Sequence, residues 1–398
     1  MKNSSNHNLL LAGGVFSQLP PNCLLVRGQG GKLWDDQGNS YTDLIMGYGA
    51  VSIGHGEPQV IEALTAQAKQ GTMLPGRTKV EEKARQYLHD LFPHTTSASL
   101  HKTGSEAVAA AIRMARCVTG RQLIVRCGFH GWHDEMIQSS RRWHSADVQQ
   151  MTLPKQVCGI RDGDPPLEWI DSDPNSLAAI LDAHPQEIAA VMIDPVQIRT
   201  NISETFTTVK AMCERSKVLL ILDELKTCPR VAMGGVQELF GVKADLTIVG
   251  KGLANGFAFS AVLGPDWMEA ARRESRIMGT FNGELSGLAA LTVSIEILRQ
   301  EEAPLQLAKL GDWIITQTNE LLSEKNLSHR AKVTPGPWPC MPQINITSFS
   351  EQEEKLGQFA AKHGACILHP HINFICLRHS FDDLHRAASA IVAAVAEI

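Results

Sequence analysis

Short apolar runs alternate with segments of helical periodicity through the middle of the chain. Residues 122–127, 189–193, 218–222, 246–249 and 260–263 are short, largely apolar runs bounded by polar residues or glycine. Strands buried on both faces of a parallel sheet have this character. Between them, residues 59–69 and 106–118 place apolar positions at helical spacing. The alternation predicts a mostly parallel α/β sheet with helices on both faces. The ends read differently. Residues 24–45 predict strands separated by glycines and by the turn Asp35-Asp36-Gln37-Gly38-Asn39. Residues 286–325 read as helical, Pro335, Pro337, Pro339 and Pro342 interrupt the chain, and further strands are expected at 343–347 and 373–377 before a final helix at 381–397. A small α+β domain drawn from both termini is the economical arrangement. Its parts are residues 1–55 and 286–398, flanking a large domain at 56–285.

Composition narrows the classes of function. The chain has 398 residues, enough for about two to three domains. With 37 Lys and Arg against 42 Asp and Glu, the net charge is −5. No cationic excess is present to neutralise nucleic-acid phosphates or an anionic membrane. No run reaches the ~20 apolar residues that span a bilayer, and Leu9-Leu10-Leu11-Ala12 is too short for the apolar region of a secretory signal. The nine cysteines are scattered, odd in number and never spaced C-x-x-C, which points to free thiols in a reducing compartment and a cytoplasmic protein.

Three motifs carry candidate chemistry. His101-Lys102-Thr103-Gly104-Ser105-Glu106-Ala107 opens a predicted helix, with Thr103 and Glu106 spaced as a capping box. It is either a well-capped helix or a phosphate site built from the amides of Gly104 and Ser105. Leu219-Leu220-Ile221-Leu222-Asp223-Glu224-Leu225 is an apolar run ending in two acids. Asp223 then sits where open α/β sheets bind ligands, unless it merely caps a helix. Gly250-Lys251-Gly252 follows another apolar run. The lysine is a surface turn residue or a pocket amine suited to Schiff-base chemistry.

In this order the motifs resemble the fold-type I pyridoxal-phosphate enzymes. The chain is similar to the class III aminotransferase family, in particular its glutamate-1-semialdehyde aminomutase-like branch. Further support comes from residues 33–43, Gly54-His55-Gly56-Glu57-Pro58, Phe129-His130-Gly131-Trp132-His133-Asp134, Asp245-Leu246-Thr247 and the 28-residue step from Asp223 to Lys251. The resemblance runs from Gly13-Gly14-Val15 to the C-terminal helix. It implies a large domain with a mostly parallel seven-stranded sheet, a small α+β domain, and pyridoxal 5'-phosphate as cofactor. It further implies a homodimer with active sites at the interface, and small amine and keto-acid substrates. Lys251 would form the Schiff base and shuttle protons, and Asp223 would pair with the pyridinium nitrogen. Phe129 and Leu225 would flank the ring. Gly104, Ser105 and Thr280 of the neighbouring subunit would hold the phosphate. Tyr48 and Arg77 are the expected substrate contacts. His130 and His133 have the look of metal ligands, but the family motif already explains that segment, and no metal is expected.

The chain departs from the family in several places. The segment that supplies the aminomutases with a carboxylate-binding arginine reads Gly13-Gly14-Val15-Phe16-Ser17-Gln18-Leu19-Pro20 here, with Pro20 at the arginine position. Arg77, in the gate-like loop from Gly71 to Thr78, is the expected replacement cation, and Arg199 a weaker one. Asp194-Pro195-Val196 stands for Glu-Pro-Val, Cys228-Pro229-Arg230 for Gly-Phe-Arg, and Ala254-Asn255-Gly256-Phe257-Ala258 for a glycine-rich run. The expected function is aminotransferase. An aminomutase or racemase using the same lysine is the alternative within enzymes, and a non-catalytic protein of the same fold the alternative outside them.

Overall fold

The computed structural model describes residues 23–133, 166–347 and 355–398, together with Leu19 and Met136. Thirteen strands are present among them: β1 (Leu25–Gln29), β2 (Lys32–Asp35), β3 (Ser40–Asp43), β4 (Ser97–His101), β5 (Leu123–Cys127), β6 (Leu167–Glu168), β7 (Ile188–Ile193), β8 (Leu219–Asp223), β9 (Leu246–Gly250), β10 (Ser260–Gly264), β11 (Ala331–Thr334), β12 (Gln343–Ile346) and β13 (Ala365–Cys366). The main sheet has seven strands in the order β4-β10-β9-β8-β7-β5-β6. Only β10 runs antiparallel to its neighbours. The expected α/β architecture with a mostly parallel sheet is present.

The continuous apolar runs form these strands because both faces of the sheet are covered. Along β7 every residue is buried, and successive side chains serve opposite layers. Ala190 and Met192 pack with Ala107, Ala111, Ile112 and Met114 of helix Gly104–Thr119. Val191 and Ile193 pack with Phe206, Val209 and Cys213 of helix Ile202–Ser216 on the other side. Parallel strands order the chain so that the segments after β5, β7, β8 and β9 all leave from one edge, the usual ligand edge of such sheets.

A second, four-stranded sheet, β1-β2-β3-β13, pairs residues from near both ends of the chain, with β13 parallel to β3. Helix Phe381–Glu397 covers it, and helix Ala303–Glu324 packs against that helix in a core that includes Leu310, Ile314, Phe374 and Ile391.

Two expected elements differ. Residues 286–325 form two helices, Leu285–Gln300 and Ala303–Glu324, because Glu302 turns at φ 48° and a proline opens the second helix. The strand expected at 373–377 is absent. The amide of Phe374 donates to Leu44 O at 2.8 Å and that of Ile375 to Cys340 O at 3.2 Å. Successive residues therefore bond to two separate segments, and no ladder forms with either.

Candidate active site

The carboxyl ends of three adjacent strands bring the chemistry together. Asp223 closes β8, Asp194 directly follows β7, and Lys251 directly follows β9. Asp223 is only 4% exposed. Its Oδ1 accepts the Leu225 amide at 3.2 Å, and Nδ1 of His130 donates to its Oδ2 at 2.8 Å. His130 arrives from the turn after β5, is itself buried, and keeps Nε2 without a partner among the described residues. The sequence showed His130 only as part of a motif with a metal-like look. Its role as the partner of a carboxylate 93 positions away carries no local signal.

Lys251 sits in the left-handed region at φ 45°, and its Nζ donates to the Tyr48 carbonyl at 3.1 Å. Its amine is pushed down to about 8 by burial and by the ammonium of Lys226, against the pull of Asp223 and Asp194; Arg230 pushes in the same direction as Lys226. Tyr48 therefore meets the site through its backbone. Two devices dock its segment there. Asn255 accepts the Ile53 amide at 3.0 Å and donates to Gly54 O at 2.9 Å. The buried guanidinium of Arg230 donates to the carbonyls of Ile375 at 2.6 Å, Gly49 at 3.1 Å and Val51 at 2.9 Å.

The capping box is present on helix Gly104–Thr119. Thr103 Oγ1 accepts the Glu106 amide at 3.3 Å, and Glu106 accepts the amides of Thr103 at 2.8 Å and Lys102 at 3.0 Å. The amides of Gly104 and Ser105 meet no acceptor among the described residues. Leu225 packs directly on Gly104, where a Cβ would lie 2.6 Å from its Cδ1. Leu225 thus wedges this helix start against the lysine loop, where a Cβ at Gly250 would lie 2.9 Å from its Cδ2. Phe129 leaves 43% of its surface uncovered.

The remaining expected residues lie further out. Thr280 is exposed in the segment before helix Leu285–Gln300, near the protruding Met278 and Phe281. That segment is tied to the phosphate-loop candidate through Lys102 Nζ, which donates to Glu284 Oε2 at 2.8 Å. Arg77 is exposed and pairs with Glu82 at 2.8 Å in this chain. Arg199 is largely buried and donates to Gln343 Oε1 at 2.8 Å. Pro20 and its segment lie outside the described residues, apart from Leu19, as does Asp134.

Residues 16–391 match the family model "Aminotransferase class-III". The chain belongs to the class III aminotransferase family. A 2'-deamino-2'-hydroxyneamine transaminase of Streptomyces kanamyceticus is 31% identical, with 93% of this chain and 90% of the relative covered. A 3-aminobutyryl-CoA aminotransferase of Cloacimonas acidaminovorans is 28% identical over 93% of this chain and 88% of its own. A glutamate-1-semialdehyde 2,1-aminomutase of Methanopyrus kandleri is 28% identical over 80% of this chain and 76% of its own. Among solved structures, an omega-transaminase from Sphaerobacter thermophilus superimposes with a TM-score of 0.80 at 21% identity, covering 95% of this chain and 92% of the other. The fold is therefore that of the fold-type I transaminases. This class III aminotransferase uses pyridoxal phosphate to move amino groups between amine and keto-acid substrates. No described helix is long and apolar enough to cross a membrane.

The Lys102–Glu284 tether yields a pH test. Burial raises the Glu284 carboxyl, but the Lys102 ammonium and the Ser286 hydroxyl and amide outweigh it and hold the group at about 2, below its ordinary 4.5. A group depressed on folding contributes stability that is complete above its unfolded value and lost as pH falls through the folded one. Glu284→Gln is expected to melt below the native protein at pH 6, with the two converging from pH 4.5 down toward 2. Melting curves offset by a constant amount across that window would contradict the assignment.

Proposed function

We propose that Lys251 is the residue that bonds the cofactor covalently and later moves the proton at the substrate carbon. What carries this reading is the placement of a half-buried amine of lowered proton affinity and a buried carboxylate at the ends of adjacent strands. The residues present fit pyridoxal phosphate. Two open amides at a helix N-terminus suit a phosphate, the uncovered face of Phe129 suits a flat ring, and Asp223 suits a protonated ring nitrogen. When bound, the cofactor supplies an electron sink for the pair released at the substrate carbon.

In this reading Gly104 and Ser105 hold the phosphate, and Phe129 and Leu225 flank the ring. Asp223 keeps the ring nitrogen protonated, and the buried bond from His130 fixes its carboxylate. Freed from the cofactor, the Lys251 amine acts as general base and then acid, and a group titrating near neutrality suits both tasks. Arg77 is the candidate for a substrate carboxylate, since an exposed pair such as Arg77–Glu82 costs little to exchange. Tyr48, whose carbonyl meets Lys251, is the second candidate substrate contact. The substrate is a small amine or amino acid. Transamination is favoured over aminomutase action by Pro20, which replaces the arginine of the aminomutases. A reducing, cytoplasmic setting is supported by the eight described cysteines, all free thiols.

Thr280 reaches a phosphate only across a subunit boundary in this reading, so the active protein is a homodimer. Met73, Leu74, Met278 and Phe281 support it, being large apolar residues exposed at 45%, 47%, 81% and 62% on two segments joined by the Leu285 amide to Thr72 O.

Borohydride reduction of the cofactor-loaded protein followed by peptide mapping is expected to place the label on Lys251. A label on any other lysine would overturn the reading. Sedimentation velocity at micromolar concentration is expected to give a dimer, and a monomer retaining full turnover would refute the shared site.

A further inference from the structure

The acid that follows β7 and the lysine after β8 form a buried pair that the proposed cofactor contacts do not use. Asp194 and Lys226 are ion-paired with side chains 2% and 7% exposed. Burying two charges in this way costs several kcal/mol per ion before their attraction repays it. Asp194 also accepts the Val196 amide, but that needs no lysine beside it, so the buried ammonium of Lys226 calls for a use. The register supplies one. Asp223 pairs with Ile248 across β8 and β9, and each strand sends a lysine out three residues beyond that rung, Lys226 from one and Lys251 from the other. Adjacent strands lie only about 4.8 Å apart. Both side chains therefore leave the same edge of the sheet, and the Lys226 ammonium disfavours a proton on Lys251. The effect is one-sided, because Lys226 has its own carboxylate while Lys251 has a neutral carbonyl, Tyr48 O, at 3.1 Å.

The remaining neighbours do not reverse it. Asp223 and Asp194 attract a proton to Lys251, and Arg230 repels one. His371, from the segment before Phe374, is held neutral at about 3 by burial and by Lys226 and Lys251, so it adds no charge near pH 7.

We propose that Lys226, held by Asp194, is a positioning residue of the cofactor site whose ammonium keeps a second positive charge off Lys251 and so leaves its amine free to attack an aldehyde. A neighbouring cation is one of the general ways to activate a lysine nucleophile. The step is a condensation. The amine nitrogen bonds to the aldehyde carbon, the carbon–oxygen bond breaks, and the oxygen leaves as water with both amine hydrogens. The inference rests on Lys251 being the cofactor lysine.

The test measures the rate at which the full-length chain, stripped of cofactor, captures added pyridoxal 5'-phosphate covalently, as trapped by borohydride between pH 6 and 10. Lys226→Gln removes the repelling charge and leaves Asp194 attracting a proton to Lys251. The midpoint of its profile is expected to rise by about one unit, a capture rate at pH 7 roughly tenfold lower, with recovery at high pH. Lys226→Arg keeps the charge and is expected to follow the native profile. If Lys226→Gln fails to fold, the neutral pair Lys226→Gln with Asp194→Asn leaves no unpaired buried charge and is expected to show a smaller upward shift. A midpoint that stays in place, or a rate reduced by the same factor at every pH, overturns the proposal, since a structural role lowers capture uniformly. Lys251→Ala separates the two claims: continued covalent capture in that variant would remove the underlying assignment instead.

Discussion

A lysine that is to react as a nucleophile has to be kept from its proton, and at neutral pH water alone will not do that. In the role proposed for Lys251, the sheet does it. Parallel strands β7, β8 and β9 release Asp194, Asp223 and Lys251 at one edge, the two acids buried and the lysine half-buried, close enough to act on one another. Burial and Lys226 lower the proton affinity of the Lys251 amine, two carboxylates limit how far it falls, and the outcome is a group near 8. The rest of the molecule preserves this balance, which small displacements would upset.

Preservation depends on contacts between distant stretches of chain. Arg230 joins the carbonyls of residues 49 and 51 to that of residue 375, holding the segment whose Tyr48 carbonyl meets Lys251. Asn255 ties the same segment to the lysine loop. Leu225 closes against Gly104 and Gly250 at once, so the helix start with its open amides and the strand end with its lysine cannot drift independently. The second sheet, drawn from near both ends of the chain, thereby becomes part of the site's frame.

How much of this can be read from the sequence depends on the range of the interaction. Thr103 and Glu106 were legible as a capping box because both partners lie within one turn of helix. Asp223 and Lys251 were legible as strand-end residues because the apolar runs before them are continuous. The bond from His130 to Asp223 spans 93 positions and the pair Lys226–Asp194 spans 32, and no local pattern announces either. The segment at 373–377 shows the converse. Its apolar residues satisfy a strand pattern, yet Asn373 turns its side chain back to the Leu368 amide at 2.8 Å, and its neighbours bond to two different segments. Side-chain alternation reports burial, and pairing is decided elsewhere.

The central question is whether this site carries an amino group in and out again. The most direct measurement is the absorbance of the cofactor-loaded protein while a panel of amine donors, then keto acids, is added. The expected result is a yellow protein bleached by a donor and restored to its original spectrum by an acceptor, with stoichiometric transfer of the amino group. Bleaching by no donor, or a spectrum that an acceptor never restores, would contradict it.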